Sequence, residues 1–269
     1  MRGPVAVAAV GVLLGVTAWA ANGIRNDHAP GPEHDTSTAL QLVDATSLND
    51  TVPPADTVPF ETPGPSVSPL TPRTTAPATV MVPDPVWVAR VSRRTGIPMV
   101  ALRAYGRASL LAAQSNMDCR LGWTTLAAIG EVESDHGRFG GAVLGDDGRS
   151  SRPVIGPALD GKGVAALPSD ALGQRWHGDP TWDHAVGPMQ FLPRSWVRFG
   201  ADADGDGVAD PTDIDDAAWG AARHLCSRGE RLDVGGAWSR AVLDYNPSNE
   251  YALKVFELAQ QYAREAGRR

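Results

Sequence analysis

The chain of 269 residues contains very little lysine and only two cysteines. Of its 24 basic residues, 22 are arginine and two are lysine, and they form no stripe. We therefore expect no nucleic-acid surface, which would need clustered positive charge. Two distant thiols are too few for a thiolate metal site. No cysteine directly follows the apolar N-terminal run, so we expect no lipoprotein anchor.

The first 83 residues divide into an apolar segment and a linker. Residues 1–21 have the features of a signal peptide, with Arg2 before an apolar stretch and Ala-Trp-Ala at 18–20 as the cleavage site. A membrane anchor through residues 5–21 is the alternative, because about 17 apolar residues can span a bilayer. Residues 22–83 are rich in Pro, Thr and Ser and lack periodicity. We predict a disordered linker, since too little apolar surface can be buried to offset the ordering entropy.

Residues 84–269 have the size of one domain. They carry 21 basic and 24 acidic side chains, a mild net charge of −3. Both cysteines, Cys119 and Cys226, lie in this domain, and an even pair in an exported protein predicts a disulfide. Closing a loop of about 106 residues would contribute roughly 4.7 kcal/mol by the chain-entropy relation.

Residues 121–134 have the composition of a helix with one unusual acid. Leu126, Ile129, Gly130 and Glu133 follow spacings of three and four, so they share one face, which is apolar apart from Glu133. Glu131 lies about 200° around the helix and should face solvent. Burial would raise the pKa of Glu133, which suits a glycosidase acid. A structural glutamate paired with an arginine is the alternative.

Three short motifs follow one another in this domain. Residues 127–138 contain Glu133-Ser134 with a glycine three positions later, residues 185–193 contain Gly-Pro-Met-Gln-Phe, and residues 241–246 end in Tyr-Asn. In this order they resemble the lytic murein transglycosylases, and most of all the family-B type in its actinobacterial form. The resemblance covers roughly residues 97–263. It implies a mainly α, lysozyme-like fold with a groove beside the Glu133 helix.

The resemblance also implies roles for individual residues. Glu133 matches the catalytic glutamate, Ser134 the small polar position after it, Gln190 the groove glutamine, and Tyr245 and Asn246 the Tyr-Asn pair near the scissile bond. From the residues themselves, the Gly-Pro turn would present Met189 as an apolar wall and Gln190 as a two-way hydrogen-bonding group. Core packing remains the alternative for Met189, and a packed helix aromatic for Tyr245.

The mechanism depends on a missing second acid. Glycoside hydrolysis ordinarily uses two carboxylates, and no second one falls in the matched motifs. Asp135 should point away from Glu133, whereas Asp183 stays open as a second acid. A lone Glu133 would protonate the glycosidic oxygen and then deprotonate the sugar 6-hydroxyl, which by resemblance gives 1,6-anhydro-N-acetylmuramic acid. The alternatives are a hydrolytic muramidase and a non-catalytic, calcium-stabilised cell-wall-binding protein.

Residues 202–213 fit the pattern of a calcium-binding loop. The final ligand position holds aspartate where such loops usually have glutamate. A solvated acidic turn is the alternative, and residues 216–225 should form the helix that follows. We expect the cofactor to be structural Ca²⁺, with ligands from Asp202, Asp204, Asp206, Val208, Asp210 and Asp213.

The remaining segments carry weaker signals. Residues 140–183 should form an irregular excursion over the groove, and residues 86–111 and 249–264 should be packing helices. His177 and His184 lack metal-ligand spacing. The expected partner is the peptidoglycan glycan strand, in the cell wall outside the cytoplasm, and no sequence feature sets the oligomeric state.

Overall fold

The computed structural model describes residues 81–115, 118–162 and 164–268, and this part of the chain is mainly helical, as predicted. Its strand-like pairing is limited to isolated bridges. The predicted export segment and nearly all of the predicted linker lie outside the described residues. No helix within the described ranges is long and apolar enough to cross a membrane. The helices are α1 Pro85–Thr95, α2 Met99–Gln114, α3 Trp123–Ser134, α4 Ala171–His177, α5 Pro193–Phe199, α6 Ile214–Leu225, α7 Gly235–Tyr245 and α8 Asn249–Gly267, with a 3₁₀ turn at Phe139–Gly141.

The single helix predicted over residues 86–111 is wrong, because this segment forms two helices. α1 ends at Thr95 and is capped by Gly96, which has a left-handed φ of 75°. Pro98 precedes α2 as its N-cap and has no N–H to continue a helical ladder. The glycine and the proline therefore separate α1 from α2, and the intervening Ile97 is buried in the core.

The core is built around α2 and α3. α2 packs mainly against α6, and α3 packs mainly against α8. α3 approaches α2 closely at Gly130, where an added Cβ would lie 2.0 Å from the hydroxyl oxygen of Tyr105. Only glycine fits this crossing, so the apolar face of α3 can seat deep in the core.

The disulfide prediction is confirmed, because Cys119 and Cys226 are bonded, with their Cα atoms 5.5 Å apart. Cys226 follows directly after α6, and Cys119 lies shortly before α3. The predicted helix after the acidic loop is also confirmed. It starts at Ile214, where the Asp213 side chain accepts a hydrogen bond from the backbone of Asp215.

α8 lies over the side of α3 that was expected to face solvent. Val255 and Tyr262 of α8 are buried. The Tyr262 hydroxyl lies 3.1 Å from Glu131, and His136 Nε2 lies 2.9 Å from the same carboxylate. The prediction that Glu131 faces solvent is therefore wrong, because α8 and His136 half-bury its side chain. The His136 hydrogen bond is the main cause that lowers the pKa of Glu131.

Candidate active site

Glu133 lies at the C-terminal end of α3 with only 4% of its surface exposed. Burial raises the pKa of Glu133 to about 8, while the Tyr251 hydroxyl, which donates to its Oε1 at 2.7 Å, opposes that rise. No arginine or lysine of the described part of the chain forms an ion pair with it. The carboxyl group is thus held neutral at pH 7 by an apolar environment, as predicted from the helix pattern.

Glu133 opens onto a cavity of about 260 Å³. Among the described residues that line this cavity, Glu133 has the only carboxyl group. The other lining residues are mainly apolar or neutral: Leu159, Val164, Ala165, Leu167, Gln190, Phe191, Leu192, Ser195, His224, Tyr245, Asn246 and Pro247. We call this cavity the groove.

Gln190 reaches the groove from a tight turn. Backbone hydrogen bonds of 2.9 and 3.0 Å between Val186 and Phe191 close the turn. Gly187 is required there, because its φ is 77° and an added Cβ would lie 1.8 Å from the carbonyl oxygen of Pro211. Gln190 itself has a φ of 49°, a left-handed conformation that is unusual for a non-glycine residue. The strained backbone therefore holds this side chain at the groove.

The Gln190 amide uses its two ends differently. Its Nε2 donates to the carbonyl oxygens of Gly187 at 2.9 Å and Val154 at 3.4 Å. Its buried Oε1 has no hydrogen-bond partner within the described ranges. A buried acceptor left unsatisfied costs about 1–3 kcal/mol, so this oxygen favours a donor brought by a ligand or by water.

The Tyr-Asn pair lines the groove where α7 ends. The Tyr245 hydroxyl donates to the backbone carbonyl of Met189 at 2.7 Å. Its ring lies 6.0 Å from the ring of Phe191 and 5.2 Å from that of His224. Asn246 is 4% exposed and lines the groove beside it. Tyr245 therefore ties α7 to the Gln190 turn.

Ser134 and Met189 are buried, and neither is among the described residues that line the groove. The Ser134 hydroxyl donates to the Pro188 carbonyl at 2.6 Å and accepts from the Gly137 backbone at 2.7 Å. The Met189 side chain is fully buried in the core. Of the six predicted catalytic and substrate-binding residues, the structure thus brings together Glu133, Gln190, Tyr245 and Asn246, and places the other two behind them.

The segment between α3 and the Gln190 turn supplies an apolar wall of the groove. This position agrees with the irregular segment predicted to cover the groove. Leu159 and Leu167 line the groove and are joined by a backbone hydrogen bond of 2.9 Å. Leu159 also donates its N–H to the Asp183 carbonyl at 3.0 Å. The wall is therefore held by backbone pairing, although it contains little regular structure.

Asp135 and Asp183, the two other acids near the motifs, do not line the groove with Glu133. The Asp183 carboxylate is buried and lies 2.9 Å from His177 Nε2. Asp135 is exposed and paired with Arg138. Asp183, which the sequence left open as a second acid, is therefore engaged away from the lining of the groove.

The acidic loop brings carboxylates together, but in a different set from the predicted one. Oxygen atoms of Asp202, Asp204 and Asp216 all lie within 4.8 Å of one another. Asp216, the first residue of the helix predicted to follow the loop, is buried and also accepts the backbone N–H groups of Ala203 and Asp210. Burial raises the pKa of Asp216 to about 7, and its acidic neighbours add to the rise. Crowded hard oxygen donors of this kind suit a cation such as Ca²⁺.

Other predicted ligands have protein partners. Arg149 forms ion pairs with Asp210 and Asp213. The Asp206 carboxylate accepts the backbone N–H of Val208, whose side chain is exposed. Asp206, Asp210 and Asp213 thus lie outside the group of three converging carboxylates, and the Val208 carbonyl stays a predicted ligand.

Sequence reasoning missed Tyr251, although a signal for it was present. Tyr251, Val255 and Tyr262 follow spacings of four and seven, which place them on one buried face of α8. Its contact with Glu133 could not be inferred, because 118 positions separate the two residues. His224 was likewise missed, since its place beside Tyr245 depends on how α6 and α7 pack.

The chain is similar to known transglycosylases. Residues 178–234 match the family model described as the transglycosylase SLT domain. This match includes the Gln190 turn, the acidic loop and α6, and it ends before Tyr245. It supports a lytic transglycosylase, an enzyme that acts on peptidoglycan, whereas the family-B subtype stays a prediction.

One solved structure, the Escherichia coli lytic transglycosylase Slt35 in complex with bulgecin A, is similar at 17% identity with a TM-score of 0.44. The likeness covers 69% of this chain and 81% of that one. None of the curated proteins matches this chain.

Proposed function

We propose that the protein cleaves the β-1,4 bond between N-acetylmuramic acid and N-acetylglucosamine in peptidoglycan and leaves 1,6-anhydro ends, with Glu133 as its only acid and base. The observation that carries this proposal is that Glu133 has the only carboxyl group among the described residues of an apolar groove. The match to the transglycosylase SLT domain supports the substrate class.

Protonation of the leaving sugar is the first step. Because the pKa of Glu133 is about 8, most molecules carry the proton at pH 7. Glu133 gives this proton to the glycosidic oxygen, and the bond between that oxygen and C1 of the muramoyl residue breaks. General acid catalysis of this kind contributes roughly 10²–10⁴-fold in rate. The step leaves a carboxylate on Glu133 and positive charge at C1.

Closure of the anhydro ring is the second step. The Glu133 carboxylate removes the proton from the sugar 6-hydroxyl, and the oxygen bonds to C1. The proton is thereby restored to Glu133, and no water is consumed. Hydrolysis by a carboxylate pair would need a second acid roughly 5–9.5 Å away. The described part of the groove lining provides none.

The other groove residues bind and orient the strand. Gln190 Oε1 accepts the N–H of an N-acetyl group, because this buried oxygen lacks a partner within the described ranges. Asn246 lines the groove beside it. The leucines of the wall keep water from C1, which favours attack by the sugar's own hydroxyl.

A structural calcium ion fits the acidic loop. Asp202, Asp204 and Asp216 would hold it, and the ion would supply charge neutralisation rather than chemistry at the sugar. The Pro211 carbonyl, at the end of this loop, lies directly against Gly187. A firm loop therefore supports the back of the turn that presents Gln190.

The proposed site of action is the cell wall, outside the cytoplasm. The substrate is found there, and residues 1–21 carry the predicted signal peptide or membrane anchor. The predicted linker over residues 22–83 would give the catalytic domain reach from a membrane.

Digestion of sacculi in ¹⁸O-labelled water tests the proposal. We expect 1,6-anhydro ends without ¹⁸O by mass spectrometry, and cleavage by Glu133→Gln that is lower by at least roughly 10²-fold. Reducing ends that carry ¹⁸O would instead identify a muramidase. Wild-type protein that binds sacculi without cutting them would support the non-catalytic wall-binding alternative.

A further inference from the structure

A second, shallower pocket of about 580 Å³ adjoins the groove. Its charged lining residues are Arg194, Arg198, Arg228 and Asp244. Ser195 and His224 line both this pocket and the groove. A ligand in the groove can therefore extend into the second pocket, which we call the arginine pocket.

The arginine pocket carries excess positive charge. Arg228 is neutralised by Asp244, through an Nη2–Oδ1 contact of 2.8 Å and a second bond from its Nε. Arg194 and Arg198 form no ion pair with any residue of the described ranges, and the carboxylate of Asp170 influences Arg194 only from beyond ion-pair distance. Arginine presents planar paired donors that match a carboxylate.

α5 places these two groups on one face. Arg194 and Arg198 are four residues apart in this helix, so both point to the same side. The guanidinium carbon of Arg198 lies 4.9 Å from the centre of the Phe199 ring. The Arg198 side chain therefore packs over the face of this ring. α5 begins three residues after Gln190, so the element that follows the Gln190 turn also carries the arginines.

We propose that the arginine pocket binds carboxylates of the peptide stem carried by a muramoyl residue of the strand in the groove. This inference rests on the proposed peptidoglycan substrate. The sugar rings of such a strand are uncharged, and its negative charge resides in the stems. A stem next to the scissile bond would extend from the groove past Ser195 and His224 to Arg194 and Arg198. Burial lowers the pKa of His224 to about 4, so this ring adds no positive charge at neutral pH.

A binding measurement with the full chain tests this proposal. Cleavage is blocked with Glu133→Gln, and the probes are soluble GlcNAc-MurNAc tetrasaccharides whose lactyl groups carry either tetrapeptide stems or, in the stemless probe, a simple uncharged amide. We expect stem-bearing probes to bind about tenfold more tightly, as two charge-assisted contacts at a partly exposed site allow. Adding Arg194→Gln and Arg198→Gln should remove this preference and leave binding of the stemless probe unchanged.

A matched control removes the same charge elsewhere. Arg90 and Arg93 are exposed on α1 and lie outside both pockets, so Arg90→Gln with Arg93→Gln should retain the preference. Thermal melts of each variant show whether the fold is kept. Arg194→Lys with Arg198→Lys keeps the charge but loses the paired donors, and should recover only part of the preference.

Each result decides the proposal. Equal binding of the two probes by the Glu133→Gln protein overturns it, as does equal weakening of both probes by the pocket variant. Inorganic phosphate that competes with the stemless probe, without any stem preference, would identify a phosphate site and also overturn it. Failure of the proposed function is seen separately, as absence of anhydro products from wild-type protein.

Discussion

Replacing Glu133 with glutamine is expected to stabilise the protein at neutral pH while it removes the proposed acid. Glutamine has nearly the same shape and keeps an oxygen that can accept the hydrogen bond from Tyr251. It has no charge to bury. The difference in unfolding free energy between the variant and the wild type therefore measures the cost of keeping a carboxyl group in an apolar site.

The size of the effect follows from the pKa of Glu133. The value is raised from 4.5 to about 8, so the folded state binds a proton in this window while the unfolded state releases it. Wild-type stability should therefore be unaffected by this group below pH 4.5 and should fall as the pH rises towards 8. Each pH unit in the window corresponds to about 1.4 kcal/mol. At pH 7 the glutamine variant should be more stable by about 3 kcal/mol.

Urea unfolding and thermal melts from pH 4 to pH 8, at fixed calcium, measure this difference. A gain of about 3 kcal/mol corresponds to a rise in Tm of roughly 6–12 °C for a domain of this size. Cleavage of sacculi should meanwhile fall by roughly 10²–10⁴-fold or more. A stability difference that stays constant from pH 5 to pH 7.5 would refute the buried, neutral carboxyl group.

Glu131→Gln is the matched control on the same helix. The pKa of Glu131 is lowered, chiefly by its hydrogen bond to His136, so its carboxylate contributes stability above its unfolded pKa and loses it as the pH falls. Its replacement should destabilise the protein at pH 7, which is the opposite sign to Glu133→Gln. Equal effects of the two substitutions would show that helix propensity, rather than ionisation, controls the result.

Three further predictions concern other parts of the site. Tyr251→Phe removes the hydrogen bond that lowers the pKa of Glu133. The alkaline limb of the pH–rate profile, expected near pH 8, should therefore move to higher pH. A limb that does not move would show that Tyr251 does not bond to Glu133. Calcium at a hundredfold excess over Kd should stabilise the protein by about 2.7 kcal/mol, and Asp216→Asn should reduce this gain in calorimetric titrations. Reduction of the Cys119–Cys226 bond should cost up to roughly 4.7 kcal/mol, seen as a lower Tm with dithiothreitol.

Local sequence patterns predicted the elements whose determinants lie close together in the chain. The 3- and 4-residue spacing placed Glu133 on the buried face of α3, and α6 followed the acidic loop as expected. Gly96 and Pro98 also indicate that one helix ends and another begins there, although the prediction over residues 86–111 did not take them into account. Short-range signals of this kind depend on helix geometry alone.

Tertiary packing decided which predicted residues reach the groove. Ser134 follows the acid directly, yet its hydroxyl bonds backbone atoms behind the Gln190 turn. Met189 precedes Gln190, and the left-handed turn buries one side chain in the core while it directs the other to the groove. Neighbours in sequence were thus separated by backbone conformations that residue identity did not reveal.

The sequence by itself determined the helical domain, the buried acid and the order of the motifs, because each depends on residue type and local spacing. It also determined the disulfide, because the chain has only two cysteines. Only the tertiary structure brought Tyr251 to Glu133, turned Glu131 towards His136, added Asp216 to the acidic loop and set the arginine pocket beside the groove. These contacts join residues from different helices and loops. They depend on how α8 crosses α3 and how α5, α6 and α7 meet, which no local periodicity encodes.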